Sequence, residues 1–296
     1  MEKIGPLINR FISDNLSKLM LDWENERKSI AIWHSGPVDN MMLESINNII
    51  QSLKSPTSEK DQNKIDNVEK IDLVVNSGGG LIEPAYQAIR LLDRAFPDKE
   101  LNFVVPRMAK SAATLMACGC DKIILSQIGE LGPLDVQIRR KSGAPISGIT
   151  INRLIEEELK GKQTNENMKE WIYRTLKPEE VLELKRFNEV AVEYLRELLP
   201  KRMFKSREIS KPKMDEIINK LCQEFPNHGF VIDYDTAKNK LNFNVEYASN
   251  KEEIILQNVR ELWEYIERLN RLMNLNSENQ TLKRLLRDSL DSDFNA

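Results

Sequence analysis

Two short segments of this chain carry groups from which an acyl-transfer site could be built. Asn76-Ser77-Gly78-Gly79-Gly80 follows an apolar run from Ile71 to Val75, and Lys110-Ser111-Ala112-Ala113-Thr114 follows a second run, Leu101 to Val105. A serine nucleophile needs a base to take its proton and N–H donors to hold the oxyanion formed when it attacks a carbonyl. Glycine lacks a Cβ, so its backbone can approach a substrate and reach positive φ. Gly79 or Gly80 is therefore a candidate donor of one amide, and Ala112, directly after Ser111, of another. Taken singly, a glycine run is a tight strand-to-helix turn and a serine opening a helix is an N-cap. The chemistry depends on the two segments meeting.

They meet if the two apolar runs are neighbouring parallel strands. Between them Ile82, Ala85, Ile89 and Leu92 recur at helical spacing, which predicts a helix over 82–95 and a β-α-β unit. The right-handed crossover of such a unit leaves both carboxyl ends at one sheet edge, where open α/β sheets place their sites. After Ser111, the run 112–119 reads as a buried helix, 121–125 as a further strand, and the chain then loops through Gly129, Gly132 and Pro133. Successive βα steps predict the α/β class.

Upstream, 4–28 has the apolar spacing of an amphipathic helix. Ile30 to Trp33 reads as a strand ended by His34-Ser35-Gly36-Pro37, 41–53 as a helix and 52–70 as an exposed polar loop. Downstream, Val181 to Leu198 predicts a long helix closed by Pro200, and 212–223 a second. Leu241, Phe243, Val245 and Tyr247 alternate like a half-exposed strand. From Glu252 a charged helix carries the stripe Ile255, Val259, Leu262, Ile266, Leu269 and Met273, which can dock on the same chain or on a partner subunit; the tail from Asp288 is expected to fray. The expected organisation is an N-terminal helix over 1–28, a main domain over 29–250, and a C-terminal amphipathic helix and tail over 251–296.

With 296 residues and 41% hydrophobic content, the chain can bury a substantial core. A formal net charge of −3 gives no basic field for nucleic acid. No stretch approaches the roughly 20 uninterrupted apolar residues that span a bilayer, and Met1 to Pro6 lacks a signal peptide's apolar centre. A soluble cytoplasmic protein is expected. Cys118, Cys120 and Cys222 lack metal-site spacing and read as reduced, partly buried thiols, so neither a metal nor another cofactor is expected.

Several segments also resemble a known family. Asn76 to Gly80 is similar to the Asn-Ser-Pro-Gly-Gly loop of Clp peptidases, with Gly78 where those have proline. Val105-Pro106-Arg107-Met108-Ala109-Lys110-Ser111-Ala112-Ala113-Thr114 resembles their nucleophile segment. Together with 121–125, 130–138 and the stretch from Phe225 to Ile232, with Ala237 and Leu241, these resemble the serine dehydrogenase proteinase family, a relative of Clp peptidase and signal peptide peptidase A, over about 28–247. The resemblance implies an α/β Clp/crotonase-like core of repeated ββα units, with the terminal helices as additions. It also implies Ser111 as nucleophile, homo-oligomeric assembly, and a peptide substrate lying extended beside a core strand.

The base is less evident. Where Clp peptidases carry histidine this chain has Val136 and Gln137, and where signal peptide peptidases carry a downstream lysine it has Asn152, Arg153 and Lys160. His228, in the family-like stretch, and Lys141, after the Gly132-Pro133 loop, are the candidate bases, and Asp135 could orient a base or cap the turn after Leu134. Lys110 is expected to point away from the site, and His34 to serve a turn. The sequence thus predicts a serine endopeptidase acting on polypeptides, with a regulatory protein partner as a further expectation. A catalytically silent Clp-fold protein that binds peptides or assembles partners is the alternative, and an acyl-CoA hydrolase is a more distant one.

Overall fold

The computed structural model describes residues 4–55, 65–135, 137–138, 146–148, 150–151, 167, 170, 174 and 177–275. Helix α1 (Ile4–Arg27) leads into strand β1 (Ser29–Ser35) and helix α2 (Asn40–Lys54), which Asp39 caps by accepting from Met42 N–H at 2.9 Å. Strand β2 (Lys70–Asn76), helix α3 (Ile82–Ala95) and strand β3 (Glu100–Val105) form the expected β-α-β unit. Strand β4 (Met108–Ala109), helix α4 (Ala112–Cys118), strands β5 (Lys122–Leu125) and β6 (Glu130–Leu131), and an antiparallel pair, β7 (Gln137–Ile138) with β8 (Ile146–Ser147), come next. Helix α5 (Pro178–Lys201), helix α6 (Lys211–Asn219), π-helical turns at Lys220–Glu224 and Thr236–Lys240, strand β9 (Val245–Tyr247) and helix α7 (Asn250–Leu275) follow.

The main sheet has the order β1-β2-β3-β5-β9, parallel throughout. Ile71 to Val75 and Leu101 to Val105 are buried without interruption, as a parallel sheet covered on both faces requires, and the polar members, Asp72 and Asn102, bond each other. Helix α2 packs on α3, α3 on α4, and α4 on α5. The register sets Ile71 opposite Leu101 and Leu73 opposite Phe103, so β2 and β3 end level with each other.

At that carboxyl edge the chain starts a second, smaller layer. Ser77 bridges Ala109, β4 pairs with β6 through Met108↔Glu130 and Ala109↔Leu131, and Leu131 bridges Ile232. Strand, short second strand and helix recur as β2, Ser77 and α3, then as β3, β4 and α4. These are the repeated ββα units that the resemblance implied, in an α/β fold.

Two expectations change. The alternating segment 241–247 is strand only from Val245 to Tyr247: Asn242 sits at φ +56°, where no strand continues, and Leu241 and Phe243 reach the core from a loop, Phe243 lying 6.2 Å from the Phe204 ring. On α7 Val259 and Leu262 are buried and Ile266 and Leu269 half-buried as the stripe predicts, but at its start Leu256 is buried while Ile255 is only half-buried. Met273 and the tail from Asp288 lie outside the described side chains. The three cysteines are free and buried.

Packing divides the chain into two units, one of Met1–Asp22 with Ile254–Ala296 and one of Trp23–Glu253. In the smaller, Arg10 and Asp14 form an exposed pair at 3.7 Å, which contributes little. The larger contains the sheet and is tied at its base by Asp72, a fully buried carboxylate of β2. Its Oδ2 accepts from Trp23 Nε1 at 2.9 Å, Arg27 Nε at 2.6 Å and Ser29 Oγ at 2.8 Å, and its Oδ1 from Asn102 Nδ2 at 2.9 Å. Arg27 also reaches Glu252 Oε1 at 2.7 Å. No described helix is long and apolar enough to cross a membrane.

Removing one partner from such a network strands the others in the interior. Asp72→Ala should therefore cost about 3–5 kcal/mol in urea unfolding. Burial alone would raise the Glu252 carboxyl, but the bonds from Arg27 and Ser249 outweigh it and hold the group below its ordinary value of 4.5. Its contribution is fully present above that value and lost as the pH falls through the lower folded one. Glu252→Gln should accordingly reduce the acid-side loss of stability between neutral pH and pH below about 4.

Candidate active site

The two segments singled out in the sequence converge. Ser77 N–H donates to Met108 O at 2.9 Å, and Lys110 N–H donates to Ser77 O at 3.0 Å, so the glycine loop and the serine turn are joined main chain to main chain. Gly79 (φ +108°) lies so near that a Cβ there would stand 2.8 Å from Ser111 Cβ, 2.9 Å from Lys110 O and 3.4 Å from Ser111 Oγ. Gly80 (φ +156°) packs against β1's extension, where a Cβ would stand 2.1 Å from Val38 O. Val38 N–H donates to Gly79 O at 3.0 Å and Leu81 N–H to Val38 O at 2.8 Å. In such a parallel bridge Gly80's own N–H points away from Val38. Gly79 N–H is engaged differently, donating to Ser77 Oγ at 3.1 Å.

Ser111 occupies the N-cap position of α4 but makes no side-chain cap bond. Its φ of +52° and ψ of −118° lie where a non-glycine residue is strained, at a cost of about 1–3 kcal/mol. The hydroxyl is thus not spent on the helix, contrary to the simple capping reading. Ala112, as the first helical residue, has an N–H without an intrahelical acceptor. The turn is held by Ala113 N–H to Lys110 O at 3.0 Å and by Leu115 N–H to Ser111 O at 3.1 Å. Thr114, fully buried, staples it to the next loop: its Oγ1 donates within reach of Ala109 O at 2.8 Å and Gly132 O at 2.7 Å, and accepts from Gly132 N–H at 3.2 Å.

Of the candidate bases, His228 faces the same cleft as Ser111. Its Nδ1 is 3.0 Å from the Asp135 main-chain oxygen and 3.6 Å from Asp135 Oδ2. A carbonyl oxygen only accepts, so the shorter contact requires the proton on Nδ1 and leaves Nε2 of the neutral ring as an acceptor. Asp135 is buried, and its backbone as well as its side chain faces the ring. The histidine loop is braced by the stacked Phe225 and Phe230 rings, 4.7 Å apart, and by paired Leu131–Ile232 main-chain bonds of 2.9 and 3.0 Å.

Lys110 points elsewhere, as expected: its Nζ is 3.1 Å from Glu130 Oε1 and 3.4 Å from Gly229 O. His34 Nε2 is 3.0 Å from Pro37 O, a turn contact. Lys141, Val136, Asn152, Arg153 and Lys160 lie outside the described residues. The buried thiols offer no competing nucleophile: burial, and then Asp135, push Cys222 up to about 12, and burial raises Cys118 and Cys120 as well.

These groups line a cleft of about 520 Å³. Gly78, Gly79, Gly80 and Ser111 form one side, with Asp135, Gln137 and His228 beyond, and Ile82, Leu134, Phe187 and Ala191 supply an apolar wall. Phe187 and Ala191 come from α5, and their pattern in the sequence marked only a helix. Ser77 and Thr114 were visible as hydroxyls beside a glycine loop and within an otherwise apolar helix, but their acceptors lie in other segments.

No protein-family model matches the chain. The uncharacterized protein MJ0137 of Methanocaldococcus jannaschii is 28% identical to it over 131 residues, and the matched region is 44% of this chain and 42% of that relative's length. Among solved structures, the chain is similar to a mutant of the 1510-N membrane-bound stomatin-specific protease, with a TM-score of 0.46 and 12% identity, covering 74% of this chain and 78% of that one. It is similar to the ClpP protease catalytic domain from Plasmodium falciparum with a TM-score of 0.40 and 12% identity, covering 79% and 92%. A second mutant of the stomatin-specific protease, in complex with a substrate peptide, gives 0.33 and 16%, covering 77% and 95%.

The three glycines should respond differently to a methyl group. A Cβ on Gly78 meets nothing within 4 Å, so Gly78→Ala should change unfolding stability by less than about 0.5 kcal/mol. Gly79→Ala and Gly80→Ala force backbone or Ser111 to move and should each cost about 1–3 kcal/mol in the same urea experiment.

Proposed function

We propose that this chain is a serine peptidase that cleaves polypeptides through an acyl-enzyme. The observation that carries the reading is Ser111 itself: a hydroxyl in a strained turn, uncommitted to the helix it opens, beside two positive-φ glycines in a cleft shared with His228 and Asp135. His228 Nε2 takes the Ser111 Oγ proton as Oγ bonds to the substrate carbonyl carbon. The negative oxygen that forms is held by the N–H groups of Gly80 and Ala112, while Gly79 gives the loop its close approach to the serine. The imidazolium passes its proton to the leaving amine as the C–N bond breaks. Water, deprotonated by the same nitrogen, then releases the acyl group and restores Ser111.

Asp135 acts twice in this scheme. Its carbonyl holds the proton on Nδ1, and its carboxylate, 3.6 Å from the ring, stabilises the imidazolium. Lys141 is the competing base. The enzyme is taken to work in the cytoplasm as a homo-oligomer, with the 29–250 region as the peptidase domain and a regulatory protein admitting substrate.

A fluorophosphonate probe should label Ser111, and Ser111→Ala should abolish labelling with the fold intact by circular dichroism. Equal labelling of the two rejects Ser111. No labelling of wild-type protein in any oligomeric state favours a silent peptide-binding role. His228→Ala should lower kcat/KM on an unstructured polypeptide by about 10²–10⁴. A rate unmoved by that change but lost in Lys141→Ala transfers the base role to the lysine. Asp135→Asn keeps the carbonyl contact and should lose less than His228→Ala, through kcat rather than KM.

A further inference from the structure

Glu83 is a charged residue of the cleft whose chemistry the proposed reaction does not use. It stands in the first turn of α3, three residues beyond Gly80, half-buried in the cleft wall. Tyr194 of α5 stacks on Tyr86 of α3 at 4.0 Å, and its phenol is raised by burial and then by Glu83. Among the described residues no lysine or arginine lies within ion-pair distance of Glu83, and none lines the cleft. Arg90, two turns along the same helix, is bonded to Glu197, which Tyr86 and Lys201 also contact. The other charged group of the lining, Asp135, faces His228.

A cleft that combines one half-buried carboxylate with apolar side chains fits one kind of side chain better than others. Lysine and arginine have long methylene stems that pack on apolar surface while the charged head reaches outward. Ile82, Phe187 and Ala191 supply such a surface in the same cleft as Glu83. Among the described lining residues the charged side chains are Glu83 and Asp135, so the phosphates of an acyl-CoA would meet two carboxylates and no fixed cation there.

We propose that Glu83 makes the cleft select a polypeptide carrying a lysine or arginine side chain beside the segment held at Ser111. The inference rests on reading this cleft as the polypeptide site, and its test separates the two. A helix-terminal glutamate also favours the N-terminal end of α3. That role alone shifts thermal stability and leaves the ranking of ligands untouched.

Binding is measured by fluorescence anisotropy on the full chain bearing Ser111→Ala, so that nothing is turned over. The ligands are short peptides, uncharged except for one lysine, norleucine or glutamate scanned along the sequence. At one position lysine should bind about tenfold more tightly than norleucine and glutamate more weakly than both, with the lysine advantage shrinking as salt is added. Glu83→Gln should remove the lysine advantage, and Glu83→Lys should transfer it to glutamate. Equal affinities at every position, an advantage that survives both Glu83 variants, or no binding of any peptide overturns the proposal. Labelling of the unmodified chain by an uncharged fluorophosphonate reports separately on Ser111. Labelling without charge selection removes the role of Glu83 alone, whereas charge selection without labelling removes the peptidase reading and keeps the cation site.

Discussion

Two main-chain hydrogen bonds at Ser77 decide whether the glycine loop and the serine turn of this chain meet. Through them the residue after β2 pairs with the segment after β3, Met108 on one side and Lys110 on the other. The parallel register brings the two strand ends level, but only this pairing turns the glycine loop toward the serine turn. The fit that results leaves no room for a side chain at Gly79, because Ser111 Cβ, Ser111 Oγ and Lys110 O already occupy the space where its Cβ would stand. Glycine at this point answers a contact as well as a dihedral angle.

Strain at Ser111 has to be balanced by groups that gain from the same arrangement. When the turn is formed the Thr114 hydroxyl donates to either Ala109 O or Gly132 O and accepts from Gly132 N–H, and the Lys110 side chain is held between Glu130 and Gly229 O. The second joins residue 110 to the loop of His228. Formation of the serine turn and placement of the histidine loop therefore favour one another. The paired bonds of Leu131 and Ile232, continuous with β4 and β6, act in the same direction.

How much of this was legible in the sequence follows the range of the interactions. The β-α-β unit, the Ser111 turn and the glycine loop are local patterns of period and residue type, so reading them needed only the rule that parallel strands share an edge. The strand proposed over 241–247 failed because alternation records which residues are buried, and Leu241 and Phe243 are buried from a loop that Asn242 bends through positive φ. The capping reading of Ser111 failed for a related reason: residue type gives the N-cap position, but the angle that frees the hydroxyl comes from packing across the second layer. His228 and Asp135 are 93 positions apart, and nothing in either neighbourhood announces their contact.

That contact also divides a task usually given to one group. When an aspartate carboxylate alone faces an imidazole nitrogen, it both fixes the tautomer and stabilises the charged ring, so altering the side chain disturbs both. Here the nearer acceptor is the Asp135 carbonyl at 3.0 Å, which no side-chain substitution removes, and the carboxylate stands farther off at 3.6 Å. Orientation belongs to the backbone, itself held by Leu134 N–H donating to Leu221 O at 2.9 Å, while charge belongs to the side chain. In the proposed mechanism the side chain at position 135 would therefore face the charge formed on the ring, while the path of the chain through residue 134 would set which nitrogen is left to take a proton.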